Sequence, residues 1–149
     1  MAMSEKPLKL QAKDSEDLQV ISAILQDAIA PVVDMIYRPE EKDFIMVVNR
    51  FCHESKGDPM FGCRERIRCA VHVRGVSSVQ LQDIDQNRKD EMLELLAVMP
   101  EGEKLEFVFS GGAKIRLNLT NWSLLLEDFG EPWPATCEPC HDKVLAPRC

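Results

Sequence analysis

Hydrophobic and polar residues alternate on both sides of a Gly-Gly pair in the segment KLEFVFSGGAKIRLNL, residues 104–119. In each half, three large apolar residues share one face of a strand: Leu105, Phe107 and Phe109, then Ile115, Leu117 and Leu119. This pattern predicts an antiparallel β-hairpin. A two-residue loop would turn one apolar face outward, so we expect an odd loop of three residues that pairs Phe109 with Ile115 or Ala113.

An amphipathic helix is predicted near the N-terminus, after a short strand at residues 8–12. Asp14 or Ser15 can cap this helix, and the acidic residues that follow suit the positive end of its dipole. Apolar residues then recur at steps of three and four: Leu18, Ile21, Leu25, Ala28 and Ile29. We therefore expect one face of the helix to pack against a sheet, and the helix to end before Pro31.

The other apolar runs predict a mostly antiparallel sheet. Residues 32–38 and 43–51 flank a turn-like PEEK sequence, and the second run is apolar on both faces, which is typical of a central strand. Two further strands are predicted on either side of Gly75, and another at residues 92–99. Residues 53–65 are polar and rich in glycine and proline, so they predict a mobile loop.

A short C-terminal helix is predicted at residues 122–129, begun by Thr120 or Asn121 and ended by Gly130. The predicted fold class is therefore α+β: a mostly antiparallel sheet or partly closed barrel of about seven to eight strands, with an N-terminal helix and this C-terminal one. A pleckstrin-homology-like barrel and a curved open sheet both suit the pattern. We expect a single domain over residues 6–133, a flexible N-terminus at 1–5 and a flexible tail at 134–149.

The composition excludes several classes of protein. A chain of 149 residues, 45% of them hydrophobic, is long enough for one buried core. The net charge of −7 argues against general nucleic-acid binding, since acidic residues outnumber basic ones 25 to 18. Neither a membrane span nor a signal-peptide segment is found, so we expect a cytoplasmic protein with six reduced cysteines. The oligomeric state stays open.

Basic residues on the predicted strands form a candidate site for a small anion. Arg68, His72 and Arg74 share the outward face of one strand, and other members join them if the strands are neighbours. The full candidate set is Asn49, Arg50, Arg68, His72, Arg74 and Arg116. The alternative interpretation is a solvated strand face, whose charges discourage edge-to-edge pairing.

The spacing Cys137-x-x-Cys140-His141 resembles half of a zinc site. The sequence contains no second Cys-x-x-Cys knuckle, so we predict no metal site and no cofactor. It also contains none of the common hydrolase, P-loop or dinucleotide-binding motifs. The sequence favours a non-enzymatic binding or interaction domain with an unidentified protein partner. The alternative is a small-anion-binding protein or an enzyme that uses the Arg/His cluster.

Several longer motifs occur together in this chain: LKLQAKDSEDLQVISAILQDAIAPVVDMIY, FIMVVNRF, FSGGAKIRLNL, and LEDFGEPW followed by His141-Asp142. In these motifs the chain resembles, over residues 8–142, a family of uncharacterised proteins found mainly in alphaproteobacteria, domain of unknown function 2948. The resemblance implies a bacterial cytoplasmic origin and no established activity, and it carries over no functional residues. Cys137 and Cys140 depart from the family pattern, which argues further against zinc.

Overall fold

The computed structural model describes residues 8–52, 65–88 and 90–134, the last four of these as backbone only. Eight β-strands and one α-helix make up this part of the chain: β1 (Lys9–Ala12), α1 (Ser15–Leu25), β2 (Ile29–Pro31), β3 (Met35–Arg38), β4 (Asp43–Phe51), β5 (Glu65–Gln82), β6 (Met92–Glu101), β7 (Lys104–Phe109) and β8 (Lys114–Pro134). No helix in this part of the chain has the length and hydrophobicity that a membrane crossing requires.

Six strands close into an antiparallel barrel. Their order is β8-β5-β4-β2-β6-β7, and β7 pairs with β8 to complete the ring. Two shorter strands lie outside the ring, since β1 adds to β8 and β3 adds to β4. The predicted mostly antiparallel, α+β architecture is confirmed, and the choice between a barrel and an open sheet is decided in favour of the barrel.

Strand β5 runs without interruption through Gly75, where two separate strands were predicted. Gly75 has a φ of +85°, and a Cβ atom at this position would lie 2.4 Å from the carbonyl oxygen of Thr120. Both Gly75 and Val76 donate their N–H groups to the carbonyl oxygen of Lys42, at 3.0 and 2.9 Å. Only glycine fits this bend. The bend directs the C-terminal half of β5 away from β4.

The predicted hairpin between β7 and β8 is confirmed. Phe107 lies opposite Ile115 and Leu105 opposite Leu117, while the N–H of Phe109 donates to the carbonyl of Ala113 at 2.9 Å. The loop therefore has three residues, and of the two predicted partners of Phe109 the structure selects Ala113. All of these side chains point into the barrel and are buried.

The predicted C-terminal helix is wrong, because residues 122–129 belong to β8. Leu124, Leu126 and Asp128 point inward, and this part of β8 pairs with both β5 and β1. Leu125 on the opposite face is half-buried, so the segment is apolar on both sides. A two-sided apolar run can also satisfy helical spacing, and here the strand neighbours decide the outcome.

Helix α1 covers one side of the barrel. Its N-cap is confirmed, since the side chain of Asp14 accepts the N–H of Asp17 at 2.9 Å. The apolar face lies in the core, with Leu18 and Leu25 fully buried. The helix ends at Leu25, earlier than predicted, because residues 29–31 form β2. Residues 32–34, predicted as strand, form a single 3-10 turn.

Candidate functional site

The six residues predicted as a binding site lie in three separate places. Asn49, Arg68, His72 and Arg74 share the outer face of β4 and β5, Arg50 points into the barrel, and Arg116 lies on the first half of β8. The predicted cluster therefore does not meet in one concavity, and each place has its own partners.

Arg50 is fully buried and ion-paired with Asp128. Its Nε and Nη2 atoms donate to the two carboxylate oxygens at 2.9 and 2.7 Å, and Nη1 donates to the carbonyl of Phe51 at 2.9 Å. The Asp128 carboxylate also accepts the N–H of Leu8 at 3.0 Å. This arrangement ties β4 to β8 and to the residue before β1.

Cys69 lies beside this buried ion pair. Burial, followed by the nearby Asp128 carboxylate, raises the pKa of the Cys69 thiol well above its usual value. The thiol therefore stays protonated at neutral pH and is a poor nucleophile.

His72 contacts a carboxylate that lies 29 residues away in the sequence. Its Nε2 atom is 2.8 Å from Oδ2 of Asp43, and Arg38 donates to both oxygens of the same carboxylate at 2.9 and 2.6 Å. The Arg38 guanidinium, helped by His72 and opposed by burial, lowers the pKa of Asp43 to about 2. Because the Asp43 carboxylate of β4 contacts both Arg38 of β3 and His72 of β5, this cluster fastens β3 to the sheet.

The remaining basic residues are spread over the surface. Arg116 donates from Nε to Glu106 at 2.8 Å, its direct neighbour across β7 and β8. Arg68 and Arg74 are exposed and lie six residues apart on one strand, a distance of about 20 Å. Asn49 and Arg68 are register partners and lie side by side on the two strands. Anion binding by these two residues stays a prediction.

A groove of about 550 Å³ opens at the mouth of the barrel. Its walls come from β3 with the 3-10 turn before it, from the C-terminal half of β5 and from the loop after β5. Most lining side chains are apolar, among them Val33, Met35, Tyr37, Val79, Leu81 and Ile84. Phe44 and Ile115 belong to the core and also line this groove.

The bend at Gly75 explains why the groove exists. Beyond this residue β5 no longer runs beside β4, and the register between them ends at Asp43 and Arg74. Tyr37 reaches across from β3, with its hydroxyl 3.5 Å from the carbonyl oxygen of Val76. Val33 and Ile36 on the β3 side are 57% and 52% exposed, so the mouth presents apolar surface to solvent.

Sequence reasoning missed the groove because its residues look like ordinary core positions. Val79 and Leu81 alternate correctly for a buried strand, yet both are only half-buried. The 3-10 turn at residues 32–34, which exposes Val33, lies inside the segment predicted as a strand, so the sequence offered no signal for this wall of the groove. The zinc candidates Cys137, Cys140 and His141 lie outside the described residues. Within residues 8–52, 65–88 and 90–134, no His, Cys, Asp or Glu side chains group as metal ligands.

Fold and groove together define a small closed β-barrel with one covering helix and an apolar mouth. A family model described as "Protein of unknown function (DUF2948)" matches residues 8–141, and the chain belongs to this family. No curated protein and no solved structure matches the chain. The pleckstrin-homology-like topology therefore stays a prediction.

Proposed function

We propose that this protein is a non-enzymatic binding domain whose groove accommodates apolar side chains of a protein partner. One observation carries the proposal: a mostly apolar groove of about 550 Å³ opens where β5 bends away from β4. Binding pockets in proteins typically measure roughly 300–1,000 Å³ and have mostly hydrophobic walls with a few polar groups. Tyr37 and Gln86 are the polar side chains among the lining residues.

Exposed apolar surface at the mouth favours binding energetically. Each square ångström of apolar surface removed from water stabilises a complex by about 25 cal/mol. Val33 and Ile36 are more than half exposed, although both border a groove continuous with the core. Covering them with a partner would therefore be favourable, whereas their neighbours Phe44 and Ile115 are already buried.

The charged side chains support a binding role over catalysis. Among the described residues, the buried charged side chains all belong to ion pairs that join strands: Asp43, Arg50, Glu106 and Asp128. Catalysis by such groups requires them to be poised near a pocket and available to substrate. Arg50 and Asp128 are buried and hydrogen-bonded to each other, and the Asp43 cluster does not line the groove.

Selection of peptides from a displayed random dodecapeptide library tests the proposal. The wild-type chain is the bait, and the variant Val33→Trp is the counter-selection bait. Val33 is 57% exposed, so a larger side chain at this position fills the groove without repacking the core. Val20→Trp is the matched control, because Val20 is 53% exposed on α1 and lies outside the groove.

We expect selected peptides to bind the wild type and Val20→Trp with equal affinity, and Val33→Trp at least about tenfold more weakly, a difference of about 1.4 kcal/mol. Peptides that bind all three proteins equally would contradict a binding role for the groove. A library that yields no enriched peptide would also count against a protein partner.

The alternative proposal is a small-anion site on the outer face of β4 and β5. It is supported by the register pairing of Asn49, near the C-terminal end of β4, with the exposed Arg68, near the N-terminal end of β5. Titration with inorganic phosphate, followed by amide shifts, would detect it. Saturable shifts at Asn49 and Arg68 that vanish in Arg68→Ala would favour this alternative.

A further inference from the structure

We propose that the partner segment binds as an added β-strand on the open edge of β5 at Val79 and Leu81, with apolar side chains in the groove and basic residues on either side. This inference rests on the proposed function, since it specifies how the groove is occupied. Addition of a strand to an exposed sheet edge is a general mode of peptide recognition, in which main-chain hydrogen bonds give affinity and side-chain pockets give specificity.

The hydrogen bonds of β8 show which edge of β5 is occupied. Phe109 donates its N–H to Ala113, and Leu119 donates its N–H to Glu103, so odd-numbered residues of β8 bond to β7. Main-chain groups alternate in direction along an antiparallel strand. The even-numbered residues of β8 therefore bond to β5, where their register partners are Ser78, Gln80 and Gln82.

It follows that Val79 and Leu81 direct their N–H and C=O groups to the other edge of β5. Strand β4 covers that edge only as far as Arg74, and Lys42 covers Gly75 and Val76. Beyond them, none of the described strands pairs with this edge. Four main-chain groups of two residues are therefore in position to bond an incoming strand.

The same two residues contribute side chains to the groove wall. Val79 and Leu81 are half-buried and line the groove opposite Met35 and Tyr37 of β3. A strand added here places alternate side chains on the groove side, because side chains along a strand alternate between faces. The partner should therefore carry apolar residues at every second position.

Three acidic residues next to groove-lining positions favour a basic partner. Asp34 lies between the lining residues Val33 and Met35, while Asp83 and Asp85 lie on either side of the lining residue Ile84. All three carboxylates are exposed, and the chain carries a net charge of −7. Complementary charge accelerates association and fixes register, so Lys or Arg should flank the apolar positions of the segment.

The first test determines the sequences of the selected dodecapeptides and measures how a bound peptide changes hydrogen exchange of the main-chain amides. We expect apolar residues with a period of two, flanked by Lys or Arg. Hydrogen exchange with and without bound peptide should show new protection of the Val79 and Leu81 amides. The amides of Ser78 and Gln80 are the internal control, since they already bond to β8 and should be protected in both states.

A second test removes the hydrogen bonds or the charges separately. N-methylation of every second peptide amide should weaken binding about tenfold for one set of alternate positions and little for the other set, because only one edge of the added strand bonds to β5.

The triple variant D34N/D83N/D85N should bind the peptide several-fold more weakly at low salt. The matched control is E94Q/E101Q/E103Q, which makes the same charge change at exposed residues outside the groove.

The outcomes separate this inference from the proposed function. Binding that Val33→Trp weakens, but without protection of the Val79 and Leu81 amides, would overturn strand addition and leave the groove as the binding site. Binding that Val33→Trp leaves unchanged would overturn both. Saturable binding of the fluorescent probe dansyl-undecanoic acid that Val33→Trp abolishes, with no peptide enriched, would identify a small apolar ligand and overturn both statements about a protein partner.

Discussion

The two ends of β4 differ in which side chains are buried and which are exposed to solvent. At the C-terminal end, Arg50 is fully buried and its charge is paired with Asp128. At the N-terminal end, Phe44 lines a groove whose outer side chains Val33 and Ile36 are more than half exposed. Inside the barrel, one end of β4 thus buries an ion pair, whereas the other end borders apolar surface in solvent and carries its buried carboxylate, Asp43, on the outer face.

This contrast separates structure from function. A buried charge is tolerated only when it is paired and hydrogen-bonded. Arg50 and Asp128 meet this requirement in each other, and their hydrogen bonds join β4 to β8. Exposed apolar surface has no such partner, and a bound segment can cover it favourably. Three of the residues singled out in the sequence, Arg50, His72 and Arg116, contact carboxylates of neighbouring strands, while less conspicuous apolar residues supply the candidate binding site.

The largest effect is expected from breaking the buried pair. Asp128→Ala leaves the buried Arg50 guanidinium without its carboxylate partner and should lower the free energy of unfolding by about 3–5 kcal/mol. Urea denaturation of the wild type and the variant measures this change in the free energy of unfolding. The control Glu127→Ala changes the exposed neighbour on the same strand and should cost less than about 0.5 kcal/mol. Similar losses for the two variants would show that the pair has no special role.

The bend that forms the groove should be the next most sensitive feature. Gly75→Ala places a methyl group 2.4 Å from the Thr120 carbonyl at a positive φ, so it should be destabilised by more than about 2 kcal/mol. Gly111→Ala is the control, because Gly111 also has a positive φ but its Cβ would meet nothing within 4 Å. A thermal unfolding comparison decides the matter, and equal melting temperatures would refute the steric explanation.

The Asp43 cluster at the groove end should give a smaller, pH-dependent contribution. The folded-state pKa of Asp43 is about 2, below the usual aspartate value of 3.8, so the stabilisation is present above pH 4 and lost as the pH falls toward 2. Solvent around Arg38 screens the interaction, so the effect on the free energy of unfolding should be smaller than that of the two changes above. The difference in unfolding free energy between wild type and Asp43→Asn, measured from pH 6 to pH 2, should shrink with acid; a constant difference would contradict this.

The smallest effect on stability is expected in the groove itself. Val33→Trp and Val20→Trp both change exposed side chains, so each should alter the free energy of unfolding by less than about 0.5 kcal/mol. Unaltered stability with reduced peptide binding would sharpen the contrast between the two ends of β4. A loss above 2 kcal/mol in Val33→Trp alone would mean that this residue belongs to the core.

Features set by neighbouring residues could be predicted from the sequence. The β7–β8 hairpin follows from alternation around Gly111 and Gly112, and the start of α1 follows from Asp14 and the apolar spacing after it. Both depend on interactions within a few residues, which local patterns record. The assignment of residues 122–129 failed because the strands on either side of β8 determine its conformation.

The site depends on contacts that no local pattern contains. The carboxylate beside His72 is 29 residues away, and the partner of Arg50 is 78 residues away. The sequence alone therefore presented Arg50 and His72 as available to an anion, although both contact carboxylates in the fold. The groove likewise needs β3, the bent half of β5 and the following loop to meet, and that meeting depends on the whole topology.

Mapping of a selected peptide onto the methyl groups of the protein tests the central claim most directly. In a titration followed by methyl NMR, we predict shifts at Val33, Met35, Val79 and Leu81 in the groove, and none at Val47 on the outer face of the sheet. The same titration with Val33→Trp should give no shifts at the groove methyls. Shifts centred on the outer face, or groove methyls that do not respond to a bound peptide, would contradict the account.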